Sequence, residues 1–298
     1  MTVRRTPRPL GAHHSIAGGY HRAVERAVET GCTCLQVFTR NINQWDTKPI
    51  APADAATFRA AVQDAGLALV VAHDSYLINP AAADATLRAR SIAGLVEELR
   101  RAEILGIPWV VAHPGAAGEQ PVAKAVARAA DGIAAALKKT RSLAAGILIE
   151  TTAGQGSCLG ATFEEIGEML ARIDAVPGLK PRVGVCLDTC HVFAAGYPLA
   201  PKAALDDTLR RFDRTIGLKR LVVIHANDSK RECGSRVDRH EAIGKGKIGP
   251  EAFRLIMRHP KLAKIPLILE TPKEGADGKT DPRHDRANLA TLRRFAAR

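Results

Sequence analysis

The amino-acid sequence predicts an α/β fold, a (β/α)8 TIM barrel, in a single domain. Eight short apolar runs rich in β-branched residues alternate with amphipathic segments, and eight such units close a barrel of this kind. The length of 298 residues fits a barrel of roughly 250 residues with its loops. No linker rich in Pro, Gly or Ser divides the chain, so 1–298 is interpreted as one domain with its core in 8–297.

The predicted strands are almost wholly apolar, which is typical of parallel strands that are buried on both faces. They span 8–13, 34–39, 67–73, 108–113, 146–151, 182–188, 221–226 and 266–271. The predicted helices follow them at 18–30, 52–65, 83–106, 120–140, 162–174, 203–216, 250–258 and 285–297. Thr162 and Pro250 are helix-start signals. Gly31, Gly66 and Gly106 are placed to end helices in the left-handed conformation.

Composition excludes several classes of protein. The sequence has no apolar stretch near 18 residues, and its basic start lacks the apolar segment of a secretory signal. Six cysteines in a chain of this length do not form a secreted disulfide pattern, and no second Cys pair completes a zinc ribbon with Cys186 and Cys190. The net charge of +12 favours a polyanionic partner such as nucleic acid, but a bacterial preference for Arg explains it equally well.

In six of the eight predicted strands, the last or last but one residue is a candidate metal ligand. These residues are His73, His113, Glu150, Asp188, His225 and Glu270. Parallel barrel strands end on one face, so these side chains should meet in one pocket. A buried carboxylate without a cation nearby would have to protonate or pair with Arg or Lys. For the histidines, a hydrogen-bonded place in the core is the alternative.

Three further candidates lie beyond the ends of the predicted strands. Asp238 and His240 are two residues apart, so an extended backbone would project them to the same side, and His191 follows Asp188 by three residues. Asp238 and His240 belong to the polar, basic segment 226–249, and a loop of that length in a compact barrel is usually functional. His191 follows the end of the strand 182–188. Nine candidates exceed the needs of one tetrahedral zinc and fit two or three Zn, Mn or Fe ions that share a carboxylate. A multi-metal site in a basic protein indicates phosphoester hydrolysis.

Six segments together resemble the endonuclease IV family, also called apurinic/apyrimidinic endonuclease family 2 or deoxyribonuclease IV. They are GAHHS (11–15), HDSYLIN (73–79), ETTAGQG (150–156), GVCLDTCH (184–191), GSRVDRH (234–240) and PLILET (266–271). They occur in the family's order and cover the chain from about residue 10 to residue 271.

The resemblance implies a zinc-dependent DNA-repair enzyme of the bacterial cytoplasm, acting at the nucleoid as a monomer without a membrane partner. It would hydrolyse the phosphodiester bond 5′ to an abasic site in double-stranded DNA, leaving a 3′-hydroxyl and a 5′-deoxyribose phosphate. Three zinc ions are implied, with Mn²⁺ as an alternative at some positions. The implied ligand groups are His73, His113 and Glu150; Glu150, Asp188, His225 and Glu270; and His191, Asp238 and His240. Glu150 and Glu270 would be the catalytic carboxylates.

The resemblance also implies DNA contacts. Tyr76 and Leu77 match residues that family members insert into the minor groove, although packing in the core is their alternative. In the segment FTRNINQW (38–45), Asn43 stands where some members have an inserting Arg. Four more candidates for contact with DNA phosphates are Gln155, Arg239, Lys245 and Lys247. The segment 244–249 mimics a dinucleotide fingerprint but follows a polar loop, so its backbone and lysines are expected to meet phosphates or simply solvent.

Two other functions compete with this interpretation. A metal-dependent sugar isomerase or epimerase would also place His and carboxylate ligands at barrel strand ends, but it needs fewer metals and a proton-shuttling pair. A DNA-binding protein with structural zinc would use closed, Cys-rich sites instead. The additional Asp238 and His240 pair and the basic loops argue against the isomerase. The His and carboxylate nature of the ligands, on the functional face, argues against structural zinc.

Overall fold

The computed structural model describes residues 8–275 and 280–297 as a closed barrel of eight parallel strands surrounded by helices. The strands of the described residues are Leu10–His13 (β1), Cys34–Phe38 (β2), Val70–His73 (β3), Trp109–Ala112 (β4), Gly146–Glu150 (β5), Val183–Asp188 (β6), Leu221–His225 (β7), Asp228–Ser229 (β8), His240–Glu241 (β9) and Leu267–Leu269 (β10). Around the barrel the order is β1-β2-β3-β4-β5-β6-β7-β10, and β10 pairs with β1 to close it. The TIM-barrel prediction is confirmed, and the limits 8–297 remain a prediction.

The helices pack outside the barrel and connect successive strands. They are Tyr20–Thr30 (α1), Pro52–Asp64 (α2), Ala85–Leu105 (α3), Val122–Lys139 (α4), Phe163–Asp174 (α5), Thr189–Ala194 (α6), Lys202–Thr215 (α7), Gly249–Arg258 (α8) and Pro282–Ala296 (α9). The predicted helix ends are also confirmed, because Gly31, Gly66 and Gly106 have φ angles of 78°, 60° and 72°. At the start of α5, Thr162 accepts a hydrogen bond from the backbone N–H of Glu165.

Two small elements were not predicted. The helix α6 directly follows β6, and the antiparallel pair β8 and β9 lies within the 226–249 segment that was expected to lack structure. Both are too short to give a periodic signal in the sequence. Together they fold the long polar segment back onto the barrel mouth.

A layer of apolar side chains fills the barrel interior and forms the floor of the site. Seven strands contribute one residue each: Cys34, Val71, Val111, Leu148, Cys186, Val223 and Ile268. On β1, Gly11 takes no part, because a Cβ there would lie 1.9 Å from the Cys34 carbonyl oxygen. This floor is apolar and buried, so polar residues one step further along the strands must find their partners at the carboxyl end.

All six cysteines are free thiols, as the sequence predicts. Among the described helices, none combines the length and the apolar composition needed to cross a membrane.

Candidate metal centre

Glu150, the last residue of β5, lies at the centre of a cluster of imidazoles. The Nε2 atoms of His73 and His113 lie 3.1 Å from one of its carboxylate oxygens. The Nδ1 atoms of His225 and His191 lie 3.0 and 3.3 Å from the other oxygen. Glu150 is fully buried and has no Arg or Lys among these neighbours. Such an arrangement is typical of a carboxylate that bridges metal ions.

All nine sequence-predicted ligands converge at the carboxyl ends of the strands. Three groups made of His, Asp and Glu alone have donor atoms within 4.8 Å of one another: His73, His113 and Glu150; Glu150, Asp188, His225 and Glu270; and His191, Asp238 and His240. These are the same groups that the family resemblance implies. His113 and Glu270 lie one residue beyond their strands, where the chain has left the hydrogen-bonded ladder and can turn its side chain inward.

The third group depends on the local structure after β6. The Asp188 carboxylate caps α6 by accepting a hydrogen bond of 2.9 Å from the His191 N–H. This cap directs His191 towards the long loop, where its Nε2 lies 3.1 Å from one Asp238 oxygen. The other Asp238 oxygen lies 3.3 Å from Nε2 of His240, so the two-residue spacing does place Asp238 and His240 side by side.

The carboxylates and imidazoles stabilise one another's charges. Burial opposes ionisation of Glu150, but the surrounding imidazoles, His225 first, lower its pKa well below the usual value. Burial also disfavours the charged form of His191, yet the negative charge of Asp188 raises the pKa of His191 well above normal. The same balance, again with Asp188, raises the pKa of His240 to about 9. Divalent cations would supply this positive charge instead, with release of the imidazole protons.

One unsatisfied atom tests whether the residues fit a metal. His240 Nε2 is buried and has no hydrogen-bond partner among the described residues, although it faces the Asp188 and Asp238 carboxylates. A buried polar atom without a partner is costly, and coordination of a cation would remove that cost. Mixed imidazole and carboxylate donors suit Zn²⁺ or Mn²⁺, so the residues fit the expected ions.

Two amide side chains orient the ligands from behind. Asn227 donates to Asp188 at 2.6 Å and accepts from the Glu270 N–H at 2.8 Å. Gln36 of β2 donates to Glu270 at 2.5 Å, and its amide oxygen lies 2.8 Å from His225 Nε2. Asn227 lies two residues beyond the ligand His225 in the sequence, whereas Gln36 is next to no predicted ligand and was missed. The available signal was a single amide within the apolar strand CLQVF.

Replacing Gln36 by Met should weaken metal binding. Met fills similar space but cannot fix the ring of His225 or the Glu270 carboxylate, and loss of such a support typically costs about 10–100-fold in metal affinity. Competition with a coloured zinc chelator measures this affinity. Gln120→Met is a matched control, because Gln120 also makes amide hydrogen bonds but in a loop outside the cluster. Equal zinc retention in both variants would contradict the role given to Gln36.

Among the candidate DNA residues, Tyr76 lies directly beside this cluster. Tyr76 is 65% exposed, and its ring centroid lies 5.9 Å from that of His73 and 6.3 Å from that of His113. Core packing therefore does not explain Tyr76, whereas Leu77 is half-buried and both interpretations of it stay open. Asn43 is exposed in the neighbouring loop.

The four candidate phosphate contacts differ in their surroundings. The Gln155 side chain accepts a 2.9 Å hydrogen bond from the Asp238 N–H, so it supports the third group directly. Arg239 is exposed, and its side chain donates to the adjacent Asp238 carbonyl. Lys245 and Lys247 are exposed, and Lys247 lies 2.7 Å from Glu232. Contact of these residues with DNA remains a prediction.

The expectation that the backbone of 244–249 meets phosphates is wrong for those of its amides that already bond to a carboxylate of the protein. The buried Asp228 carboxylate already accepts hydrogen bonds of 2.9 to 3.0 Å from the N–H groups of Gly244, Gly246 and Ile248. A Cβ at Gly246 would lie 2.3 Å from the Ser229 carbonyl oxygen, which explains the glycine. The glycine spacing in 244–249 that resembles a dinucleotide fingerprint therefore allows the backbone to bond to the Asp228 carboxylate inside the protein.

Two thiols lie close to the cluster. Cys186 has its sulfur within 4.8 Å of donor atoms of Glu150 and His225, and Cys190 is equally close to Asp188 and His240. Burial raises the pKa of both thiols to about 12, which favours the neutral form. The expectation that sulfur does not bind the metals stays a prediction.

The chain is similar in sequence to known proteins over nearly its whole length. A family model described as a xylose isomerase-like TIM barrel matches residues 24–295. A probable endonuclease 4 of Trichlorobacter lovleyi is 45% identical over 95% of this chain and 98% of its own length. A probable endonuclease 4 of Chloroflexus aurantiacus is 44% identical, with 95% of this chain and 96% of that protein covered.

Solved structures agree with these relatives. The crystal structure of endonuclease IV from Thermus thermophilus matches with a TM-score of 0.82 and 36% identity, covering 96% of this chain and 98% of that one. A D-psicose 3-epimerase structure matches with a TM-score of 0.71 over 97% of this chain and the whole of that one, but at 19% identity. The second match therefore concerns the fold alone.

Proposed function

Since this chain belongs to the endonuclease IV family, we propose that it is a DNA-repair endonuclease that hydrolyses the phosphodiester bond 5′ to an abasic site. The products are a 3′-hydroxyl and a 5′-deoxyribose phosphate. The observation that carries this proposal is the convergence of nine His, Asp and Glu ligands, in three groups, around the buried Glu150. The enzyme would act on double-stranded DNA in the bacterial cytoplasm, at the nucleoid, as a single-domain monomer.

Two carboxylates, Glu150 and Asp188, connect the three groups of ligands that this reaction would use. When bound, three zinc ions supply an activated water and neutralise charge on the attacking and leaving oxygens. Glu150 joins the first group to the second and so fixes their separation. Asp188 ties the second group to the third by capping the helix that carries His191. Mn²⁺ is the alternative ion at some of these positions, because the donors are nitrogen and oxygen.

The competing sugar epimerase accounts for less of the site. An epimerase would leave the group of His191, Asp238 and His240 without a task, since one metal position suffices for its chemistry. The net charge of +12 also suits a polyanionic substrate better than a neutral sugar. The likeness to epimerase structures extends to the fold only, at 19% identity in the example above.

The chemical nature of the DNA end that cleavage produces tests the proposal. A duplex with one natural abasic site is incubated with the protein, and the nicked product is offered to a DNA polymerase. Hydrolysis 5′ to the lesion leaves a 3′-hydroxyl that the polymerase extends directly. A nick 3′ to the lesion, with a blocked end that cannot be extended, would mean β-elimination and would contradict the proposal.

Tyr76→Ala should weaken binding to an abasic duplex more than binding to an intact duplex. Tyr76 is exposed beside the metal ligands, and a stacking aromatic typically contributes about 1–3 kcal/mol per base, or roughly 5–150-fold in affinity. Fluorescence anisotropy with both duplexes measures the two losses. Val28→Ala is the control, since it removes an exposed apolar side chain on the outer helix α1. Equal losses on both duplexes would remove Tyr76 from lesion recognition.

A further inference from the structure

A buried polar network lies under the segment 39–48, the loop that carries Asn43. Arg40 is only 7% exposed, and its Nε lies 2.5 Å from the carboxylate of Glu98, which is 1% exposed. The same guanidinium donates to the carbonyl oxygens of Gln44 and Trp45 at 3.1 and 3.0 Å. One side chain thus holds both ends of the turn that presents Asn43. A planar guanidinium is suited to bonding a carboxylate and two carbonyls at once.

One face of α3 supplies the support for this network. Glu98 also accepts a hydrogen bond of 2.7 Å from the Thr39 hydroxyl. One turn further along, Arg101 donates to the Thr39 carbonyl at 2.7 Å and to the Lys48 carbonyl at 2.9 Å. On the same face, the Trp45 ring packs over Gly94, where a Cβ would be in ordinary contact with that ring at 3.5 Å. The loop therefore rests on a rigid helix from its first residue to its last.

A second loop is tied to the first. The buried hydroxyl of Ser75 donates to the Ile42 carbonyl at 2.5 Å and accepts from the Leu77 N–H at 3.3 Å. The rings of Phe38 and Tyr76 are also in contact, with centroids 5.9 Å apart. The loops that carry Asn43 and Tyr76 therefore form one connected surface beside the metal ligands.

We propose that Arg40 is a positioning residue for DNA recognition, because its contacts with Glu98, Gln44 and Trp45 fix the segment 39–48 in the shape that abasic DNA requires. This inference rests on the proposed function. Asn43 is short and uncharged, so it cannot compensate for a displaced loop by reaching further. Preorganisation reduces the entropy lost on binding, so loosening the loop should weaken the substrate complex. The metal ligands should keep their positions, because the hydrogen bonds of Arg40 among the described residues go to Glu98, Gln44 and Trp45.

Arg40→Lys tests the inference while it keeps a positive charge beside Glu98. A lysine ammonium lacks the planar fork needed for the carboxylate and both carbonyls, so we expect KM for an abasic duplex to rise by about tenfold, with kcat within about twofold of the unchanged protein. Deuterium uptake by the backbone amides of 41–48 should rise in the same variant. This second measurement needs neither activity nor DNA.

Arg182→Lys is the matched control. Arg182 also bonds backbone carbonyls, those of Leu137, Thr140 and Ala145, but it precedes β6 at the opposite end of the barrel. It should leave KM and the uptake of 41–48 unchanged. An unchanged KM in Arg40→Lys, or an equal change in both variants, would overturn the inference. If the unchanged protein cut no abasic duplex, the proposed function would fail and this inference with it. Unchanged deuterium uptake of 41–48 in Arg40→Lys, in a protein that does cut the duplex, would overturn the inference alone.

Discussion

A Glu270→Gln variant should lose nearly all strand cleavage while it binds an abasic duplex almost as tightly as the unchanged protein. Glu270 has one carboxylate oxygen 3.2 Å from His225 Nδ1 and the other 2.5 Å from the Gln36 amide. The amide of Gln has the same shape but no charge, so the second ligand group loses one of its anionic donors. The expected loss is on the order of 10³-fold in the cleavage rate, comparable with removal of one catalytic electrostatic contact.

Single-turnover cleavage and fluorescence anisotropy separate the two effects. Glu168→Gln serves as the control, because Glu168 is an exposed carboxylate on the outer helix α5. Turnover at the normal rate in Glu270→Gln would exclude Glu270 from the reaction. A parallel loss of duplex binding would instead place its main effect on the DNA-binding surface.

Glu150→Gln should reduce the metal content from three ions per chain to one. Glu150 belongs to the first and second ligand groups, whereas His191, Asp238 and His240 form the third group without it. Removing its charge also leaves the imidazoles of His73 and His225 facing a neutral amide, and an uncompensated buried group is costly. Cleavage should fall below detection with the loss of the bridging carboxylate.

Elemental analysis of the purified protein measures the retained ions. Asp238→Asn is the matched variant, since Asp238 belongs only to the third group, and it should retain two ions. The critical comparison is that Glu150→Gln should retain fewer ions than Asp238→Asn. Three ions retained in Glu150→Gln, or the same loss in both variants, would contradict a carboxylate shared between two ion positions.

The barrel and its ligands could be predicted because each has a local cause in the sequence. A β-branched apolar run that ends on His or Glu indicates both a buried strand and a side chain at its carboxyl end. The pairs Asp188 with His191 and Asp238 with His240 are close in sequence, so their proximity in space needed little tertiary information. The grouping of ligands by ion came from the family resemblance, and the distances agree with it.

What the sequence could not supply are contacts between residues far apart in the chain. Gln36 lies 189 residues from His225, and Arg40 lies 58 residues from Glu98. Neither residue has an unusual neighbour in the sequence that would indicate its partner. The Asp228 carboxylate accepts hydrogen bonds from the backbone N–H groups of a loop whose sequence resembles a phosphate-binding turn. Only the fold brings this carboxylate and that loop together.

Cleavage of a duplex with a single tetrahydrofuran abasic analogue is the decisive test of metal-dependent hydrolysis by this protein. This analogue cannot undergo β-elimination, so any cut must be hydrolytic. We predict one nick 5′ to the analogue, none in the undamaged duplex, loss of cleavage in the presence of a chelator and recovery on addition of Zn²⁺. The absence of a nick, from protein that elemental analysis finds to be loaded with its ions, would contradict the proposed hydrolysis and favour a screen of ketose sugars.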